Sequence, residues 1–158
     1  ADLVSAWALT DLGGADWHAA LVAHCAEVRA AVLLSLNVDG RLEWSKPTEG
    51  DAQVAALFAQ HQRRDKGFGS ALGPEALART AQWLAAAGYR VRQARSDWLA
   101  SGHLQESLID GMARAATEQS PSARESLEGW RQRRRALCER TTLRIGHLEL
   151  LGRLDRAP

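Results

Sequence analysis

Short apolar runs alternate with longer amphipathic stretches along this chain, which is the pattern of a layered α/β protein. Leu3–Trp7 and residues 31–36 are too short for independent helices and predict buried strands. Alternating polarity over residues 89–96 predicts a third strand, and residues 143–151 predict a fourth. The fourth segment changes phase at Gly146, which indicates a bulge or bend there.

Five helices are expected between these strands. Their boundaries are marked by capping or helix-breaking residues, namely Asp16, Asp51, Pro74 with Gly88, Ser101, and Ser120-Pro121. Their apolar stripes are, in order, Trp17, Leu21, Cys25 and Val28; Val54, Leu57 and Phe58, continued by His61; Leu77, Ala81 and Leu84; Leu104, Leu108, Met112 and Ala115; and Leu127, Trp130, Leu137 and Cys138. A polar turn over residues 37–40 is expected to end the second strand.

Composition narrows the class of protein without identifying it. The 158 residues are 46% apolar and carry 20 basic and 19 acidic side chains, a formal net charge of +1. Such a balance argues against nucleic acid or a membrane as the partner. Two separated cysteines and no secretory or transmembrane segment predict a reduced, cytoplasmic protein without a metal site. The arginines after residue 130 predict a solvated helix face, with nucleic-acid binding as the alternative.

Familiar catalytic motifs are missing from the sequence, but polar residues follow the strands. No phosphate-binding glycine loop, HExxH or GxSxG occurs. Ligands of open α/β sheets bind outside the carboxyl ends of strands, where Ser5 to Trp7, Asn37 and Asp39 would lie. Residues 61–73 are rich in charge and glycine, and the segment from His61 to Lys66 could fold over that edge. His61 is either a satisfied helix histidine or a ligand contact, and residues 63–66 are either a solvated charge run or part of the site.

Taken in order, four segments resemble the C-terminal half of a class I S-adenosylmethionine-dependent methyltransferase of a bacterial small-molecule-type subgroup. They are Asp2-Leu-Val-Ser-Ala-Trp-Ala-Leu-Thr-Asp-Leu12; residues 31–37; Asp65-Lys-Gly-Phe-Gly-Ser-Ala-Leu-Gly-Pro74 with Leu84-Ala-Ala-Ala-Gly-Tyr-Arg-Val91; and Gly146-His-Leu-Glu-Leu-Leu151. The resemblance implies an α/β fold with a partial Rossmann-like sheet of the family's strands 4, 5, 6 and 7. It also implies that the last strand is antiparallel and that helices flank the sheet.

The same resemblance implies methyl transfer to an unidentified acceptor, with this chain supplying the acceptor-side half of the site. Ser5, Ala6 and Trp7 would contact the cofactor S-adenosylmethionine. The acceptor side would be lined by Asn37, His61, Arg64 and Lys66. If the acceptor is a hydroxyl or an amine, His61 or Asp65 would take its proton.

The family's first strand, its acidic GxGxG loop and its ribose-binding carboxylate have no counterpart in residues 1–158. We therefore expect a single domain that is the C-terminal part of a larger one, as the opening without methionine also indicates. Alone, it is expected to bind S-adenosylmethionine weakly and to be inactive. Its first strand would pair with the missing N-terminal half or with a second chain. The alternative is a non-catalytic methyltransferase-like module that only pairs with another chain.

Overall fold

The computed structural model describes residues 2–154, and this range contains five strands and five α-helices. They are β1 (Leu3–Trp7), α1 (Ala15–Glu27), β2 (Ala31–Trp44), α2 (Asp51–Gln62), α3 (Ala76–Ala86), β3 (Arg90–Arg95), β4 (Trp98–Ala100), α4 (Gly102–Gln119), α5 (Arg124–Ala136) and β5 (Leu143–Arg153). Short 3-10 turns cover Thr10–Leu12, Gly73–Glu75, Pro121–Ala123 and Cys138–Arg140.

The strands form one mixed sheet in the order β1-β2-β5-β3, and β4 also pairs with β5. β1 is parallel to β2, with Leu3 opposite Ala31. Both β3 and β4 are antiparallel to β5. The predicted α/β class and the antiparallel pairing of the last strand are confirmed.

Two predictions about the strands are wrong. β2 does not end at residue 36 but continues to Trp44, so the expected polar turn lies inside the strand. Left-handed backbone at Leu36 (φ 57°) and Gly40 (φ 85°) lets the strand bend there without ending. The short strand β4 was not expected, because exposed Trp98 and Leu99 hide its alternation.

Of the two alternatives expected at Gly146, a bulge or a bend, the bulge is absent from the pairing of β5 with β3 and β4. Ile145 lies opposite Trp98 and Leu148 lies opposite Arg95. On β5, residues 146 and 147 lie between these two paired positions, and on the opposite side residues 96 and 97 lie between theirs. Because the numbers are equal, no extra residue is inserted in β5. The change of phase in the apolar pattern reflects buried Gly146 and His147 instead.

The positions of the helices along the chain agree with the sequence prediction better than the choice of residues on their buried faces does. α1 begins after Gly14 without a cap from Asp16, and it buries His18 and Val22 while Val28 is exposed. α3 is preceded by the turn that contains Pro74, and the chain leaves it through Gly88 as expected.

Two further expectations about buried helix faces are wrong. Leu104 on α4 is 47% exposed. α5 ends at Ala136, so Cys138 is buried in the following turn, and the helix buries Arg134. A hydrophobic pattern does not reveal a buried arginine, because arginine is classed as polar whether its side chain is buried or exposed.

Within the described residues the chain packs as two compact units. The first unit comprises residues 2–40, 62–96 and 146–154, and the second comprises residues 41–61 and 97–145. The core of the first unit is formed by Val22, Cys25, Val32, Leu34, Leu77, Leu84, Tyr89 and Leu150. The core of the second unit includes Val54, Ile109, Met112, Leu127, Trp130 and Leu143.

Candidate functional site

The turn after β1 has an unusual backbone at the point where the pairing of β1 with β2 stops, with Trp7 opposite Ser35. Ala8 adopts φ 50° and Leu36 adopts φ 57°, both in the left-handed region that non-glycine residues rarely enter. The Ala8 amide donates to the Ser35 carbonyl at 3.0 Å, which ties the turn to β2. Strained backbone of this kind concentrates at functional sites, which makes the side chains around this turn candidates for a site.

A chain of buried hydrogen bonds holds this turn in place. The Thr80 hydroxyl lies 2.8 Å from His18 Nδ1, and His18 Nε2 lies 2.8 Å from the Thr10 carbonyl oxygen. Thr10 Oγ1 in turn donates to Asn37 Oδ1. Asn37 Nδ2 donates to the Leu148 carbonyl at 3.1 Å. The turn is thereby fixed to α1, α3, β2 and β5 of the first unit.

The protonation state of His18 follows from these partners. A carbonyl only accepts, so Nε2 carries the hydrogen that bonds the Thr10 oxygen. Burial lowers the pKa of His18, against the opposing effect of that backbone bond. The lowered pKa favours the neutral ring, whose Nδ1 lies 2.8 Å from the Thr80 hydroxyl oxygen, and that hydroxyl donates to the Ala76 carbonyl at 2.7 Å.

Asp11 lies in the 3-10 turn held by this chain of bonds, next to Thr10. Burial raises the pKa of the Asp11 carboxyl, while its own backbone amide, Lys66 and His147 act in the opposite direction. His147 is buried on β5, and Lys66 belongs to the loop before α3. Lys66 and His147 thus both favour the ionised form of the Asp11 carboxyl.

Glu149 stabilises the same edge of the sheet from β5. Its carboxylate accepts from the Ser96 hydroxyl at 2.6 Å and from the Leu36 amide at 3.3 Å. Burial raises the pKa of Glu149, but bonds from Ser35, Ser96 and Leu36 and the nearby His147 outweigh it, so the pKa lies below its ordinary value. The ionised carboxylate holds the left-handed Leu36 in place.

The glycine-rich loop before α3 docks on the turn after β1. The Gly14 amide donates to the Phe68 carbonyl and the Leu72 amide donates to the Gly13 carbonyl, both at 2.9 Å. A Cβ added to Gly14 would lie 2.6 Å from the Phe68 carbonyl oxygen. The part of the loop that docks here contains Phe68 and Leu72 and lies outside residues 61–66, the segment expected to fold over the strand edge.

The three predicted cofactor contacts do not share a face of β1. Ser5 and Trp7 are exposed, whereas Ala6 packs against the core on the opposite face. This division follows from the two-residue period of a strand. Only Ser5 and Trp7 can offer their side chains to the same ligand.

The predicted acceptor residues of the first unit occupy different environments. Asn37 is buried and both ends of its amide bond protein groups. Arg64 and Lys66 are exposed in the loop, and Lys66 Nζ donates to the Gln62 carbonyl at 2.7 Å. The Asp65 carboxylate accepts from the Gly67 amide at 2.7 Å and is exposed.

His61 belongs to the second unit, near the end of α2. Its Nε2 lies 2.9 Å from a carboxylate oxygen of Glu118. The pair borders an open groove of about 300 Å³ that is mostly apolar. Further lining residues are Phe58, Leu108, Gly111, Met112 and Ala115.

The arginines of α5 are engaged with acidic side chains of the second unit. Asp110 accepts from Arg131 at 2.8 Å and from Arg135 at 2.7 Å. Arg131 also contacts Glu128 at 3.2 Å. Hydrogen bonds from Arg131, and then from Arg135, hold the pKa of Asp110 below its usual range despite partial burial. These arginines therefore form intramolecular ion pairs.

Sequence reasoning missed most of the residues that meet at the end of β1. They are Thr10, Asp11, His18, His147 and Glu149. A detectable pattern existed, because His147 and Glu149 are polar residues inside an otherwise apolar strand. His18 carried no such pattern, since it lies beside the expected apolar stripe.

Among residues 2–154, no group of three or more His, Cys, Asp and Glu side chains is arranged to hold a metal ion. None of the helices in the described part of the chain is long and apolar enough to cross a membrane. No protein-family model matches the sequence, and no curated protein matches it either. Function therefore has to be argued from the site itself.

Proposed function

We propose that this chain forms the acceptor-side part of an S-adenosylmethionine-dependent methyltransferase acting on a small molecule. The main support is the sheet, in which a parallel pair is followed by an antiparallel last strand lying between two others. The family that the sequence resembles has such a last strand. Polar and basic side chains lie near the carboxyl end of β1, and α/β sheets bind ligands at the carboxyl ends of parallel strands.

The residues at the end of β1 can line one side of a cofactor site, but they do not complete it. Trp7 is 68% exposed at the end of β1, and Ser5 is exposed on the same face, so both are accessible to a ligand. The sequence contains no glycine-rich loop to hold the nucleoside part. We propose that a segment outside these 158 residues, or a second chain, supplies that loop beside β1.

Methyl transfer is an in-line displacement, so the protein contributes mainly by orienting the acceptor. The strained turn, its buried hydrogen bonds and the docked loop provide a rigid surface for this purpose. In this proposal Arg64 and Lys66 contact the acceptor, with Asn37 holding the turn. Asp65 takes a proton where the acceptor has one to lose, and for His61, which belongs to the second unit, a role at the acceptor stays a prediction from the sequence.

A titration with S-adenosylmethionine tests whether the cofactor site needs a second segment or chain. The 158-residue polypeptide alone is expected to bind weakly or not at all, whereas addition of the polypeptide encoded directly upstream should give binding and transfer of a labelled methyl group. Micromolar affinity of the isolated chain would contradict the missing-loop proposal. Absence of transfer from the complemented protein across a broad acceptor panel would contradict the enzyme assignment.

In that complemented enzyme, His61→Ala should lower turnover with the acceptor while leaving cofactor affinity nearly unchanged. The reason is that His61 would act on the acceptor and not on the cofactor. Turnover and cofactor binding are measured on the same preparation. Unchanged turnover would remove His61 from the proposed site.

A second candidate function is a non-catalytic module that pairs with another chain. It is favoured by β1, an edge strand whose outer face exposes Leu3 and Trp7. Exposed strand edges and apolar faces recruit partners. Stable association without methyl transfer would select this function over the enzyme.

A further inference from the structure

We propose that the groove between α2 and α4 binds a small molecule with an unbranched apolar chain and a carboxylate group, and that Arg114 pairs with this carboxylate. The groove lies within the second unit, so the inference goes beyond the proposed function and does not depend on it. Its volume of about 300 Å³ is at the lower end of the range of small-molecule sites. Its lining is also typical of such sites, because a mostly apolar wall carries a few polar groups.

The apolar wall is formed by side chains at helical spacing on the two helices. Phe58 lines the groove from α2, and Leu108, Met112 and Ala115 line it from α4. The lining positions of α4 span residues 107–118, a length of about 16 Å at about 1.5 Å per residue. A groove that follows a helix over this length suits an extended chain better than a compact ring.

Gly111 keeps the middle of this groove open. It lines the groove on α4, and a Cβ built on it would meet no atom within 4 Å. Glycine in a helix interior is less favourable than alanine. A larger side chain at this position would extend into space that a ligand can otherwise fill.

The charged side chains of the groove select the chemical class of the ligand. Glu118 is already engaged, because one of its carboxylate oxygens lies 2.9 Å from His61 Nε2. Arg114 is exposed, and it makes no hydrogen bond or ion pair with any residue of the described range 2–154. A guanidinium binds a carboxylate through two parallel hydrogen bonds. Arg114 beside the apolar wall therefore favours an apolar carboxylate over an amine or an uncharged alcohol.

Octanoate, octan-1-ol and octylammonium test this selection, because they share one chain and differ in the head group. Titration of the full 158-residue chain, followed by amide NMR, should give saturable shifts at Gly111, Ala115 and Glu118 with octanoate. Octanoate should bind about tenfold or more tightly than octan-1-ol, the usual contribution of a hydrogen bond to a charged group. Octylammonium should bind most weakly. No saturable shifts at these amides, or octanoate binding no tighter than octan-1-ol, would overturn the inference.

Variants of the same chain separate the effect of charge from that of the apolar wall. Arg114→Gln should remove the preference for octanoate over octan-1-ol. Arg124→Gln is the matched control and should keep the preference, because Arg124 is an exposed arginine of α5 that does not line this groove. An equal loss of preference in the two variants would contradict the role of Arg114.

Filling the groove provides a second test. Gly111→Leu should abolish the binding of octanoate and of octan-1-ol, while the circular dichroism of the chain stays that of the wild type. Unchanged binding in Gly111→Leu would contradict the assignment of the site to this groove. If that variant does not fold, the comparison of the two arginine variants still decides the proposal.

Discussion

Arg134 is a fully buried guanidinium in the second unit, and its partners account for its burial. It bonds both carboxylate oxygens of Asp51 and donates to the Lys46 carbonyl at 3.0 Å. Its guanidinium carbon lies 3.7 Å from the centre of the Trp44 ring, and Trp130 Nε1 donates to the same aspartate at 2.8 Å. A buried cation with this set of partners stabilises the fold only while all of them are present.

Asp51→Asn should lower the free energy of unfolding at pH 7 by about 3–5 kcal/mol, because it leaves Arg134 charged and buried without its counter-ion. Burial raises the pKa of Asp51, but bonds from Arg134, the Thr48 amide and Trp130 outweigh it, so its pKa lies below the ordinary value. Its contribution is therefore fully present above about pH 3.9 and is lost as the pH falls through the folded-state pKa. Urea unfolding at pH 7 and pH 3 measures both effects.

The exposed ion pair between Arg63 and Glu75 provides the control for Asp51→Asn. Its atoms are 2.9 Å apart, but both side chains are about half exposed. Glu75→Gln should therefore change stability by less than about 1 kcal/mol. A similar loss in the two variants would contradict the role assigned to burial.

His18 should remain neutral at pH values where an ordinary histidine, with a pKa of about 6.5, becomes protonated. The physical reason is that burial lowers the pKa of this histidine. The unfolded chain then binds the proton first, so stability should decline as the pH falls below about 6.5. Nitrogen NMR of the imidazole should show the Nε2–H tautomer at pH 7 and a protonation midpoint below that of an ordinary histidine, and a doubly protonated ring at pH 7 would contradict the assignment.

At the scale of elements, the contact between the loop before α3 and the turn after β1 depends on Gly14. Gly14→Ala should detach the loop, because the added Cβ would lie too close to a backbone carbonyl that cannot rotate away. Hydrogen exchange of the Leu72 amide should accelerate, since its bond to the Gly13 carbonyl would be lost. Unchanged protection would contradict this role of the loop.

Gly111 on α4 provides the matched control for Gly14→Ala. A Cβ at Gly111 would meet no atom within 4 Å. Gly111→Ala should therefore stabilise the protein by about 0.5–1 kcal/mol, through the better helix propensity of alanine. The same chemical change should thus have opposite effects at the two glycines.

The prediction of helices and strands was right where the local sequence pattern and the tertiary packing favour the same structure. It was wrong where hydrogen bonds to residues distant in sequence decide the structure. Gly88 ends the third helix as its position in the sequence indicates. Asn37 looked like a turn residue, yet β2 continues through it, because its amide bonds Thr10 and Leu148 from distant parts of the chain. No local pattern contains those partners.

At the scale of the whole molecule, the outer face of β1 is the surface whose partner matters most for both candidate functions. Leu3 is 57% exposed and Trp7 is 68% exposed on an edge strand. Removing an exposed side chain costs little, so Trp7→Ser should change folding stability by less than about 0.5 kcal/mol. It should weaken association through β1, seen by light scattering after size exclusion at increasing concentration.

Leu104 on α4 is a comparably exposed apolar residue outside this face, so Leu104→Ser is the control. It should leave the association unchanged. A wild type that stays monomeric at every concentration, or an equal effect of both serine variants, would contradict a role for the β1 face.

The sequence by itself determined the α/β class, because the spacing of apolar residues that distinguishes strands from helices is a local property. This spacing does not depend on how the elements pack against one another. It also located the glycine-rich loop and most of the helices. Only the tertiary structure decided which polar residues meet: Thr10 with Asn37 and His18, and Asp51 with Arg134. The physical reason is that burial and hydrogen bonding depend on partners far away in sequence, so the same side chain can lie in solvent, in the core or in a site.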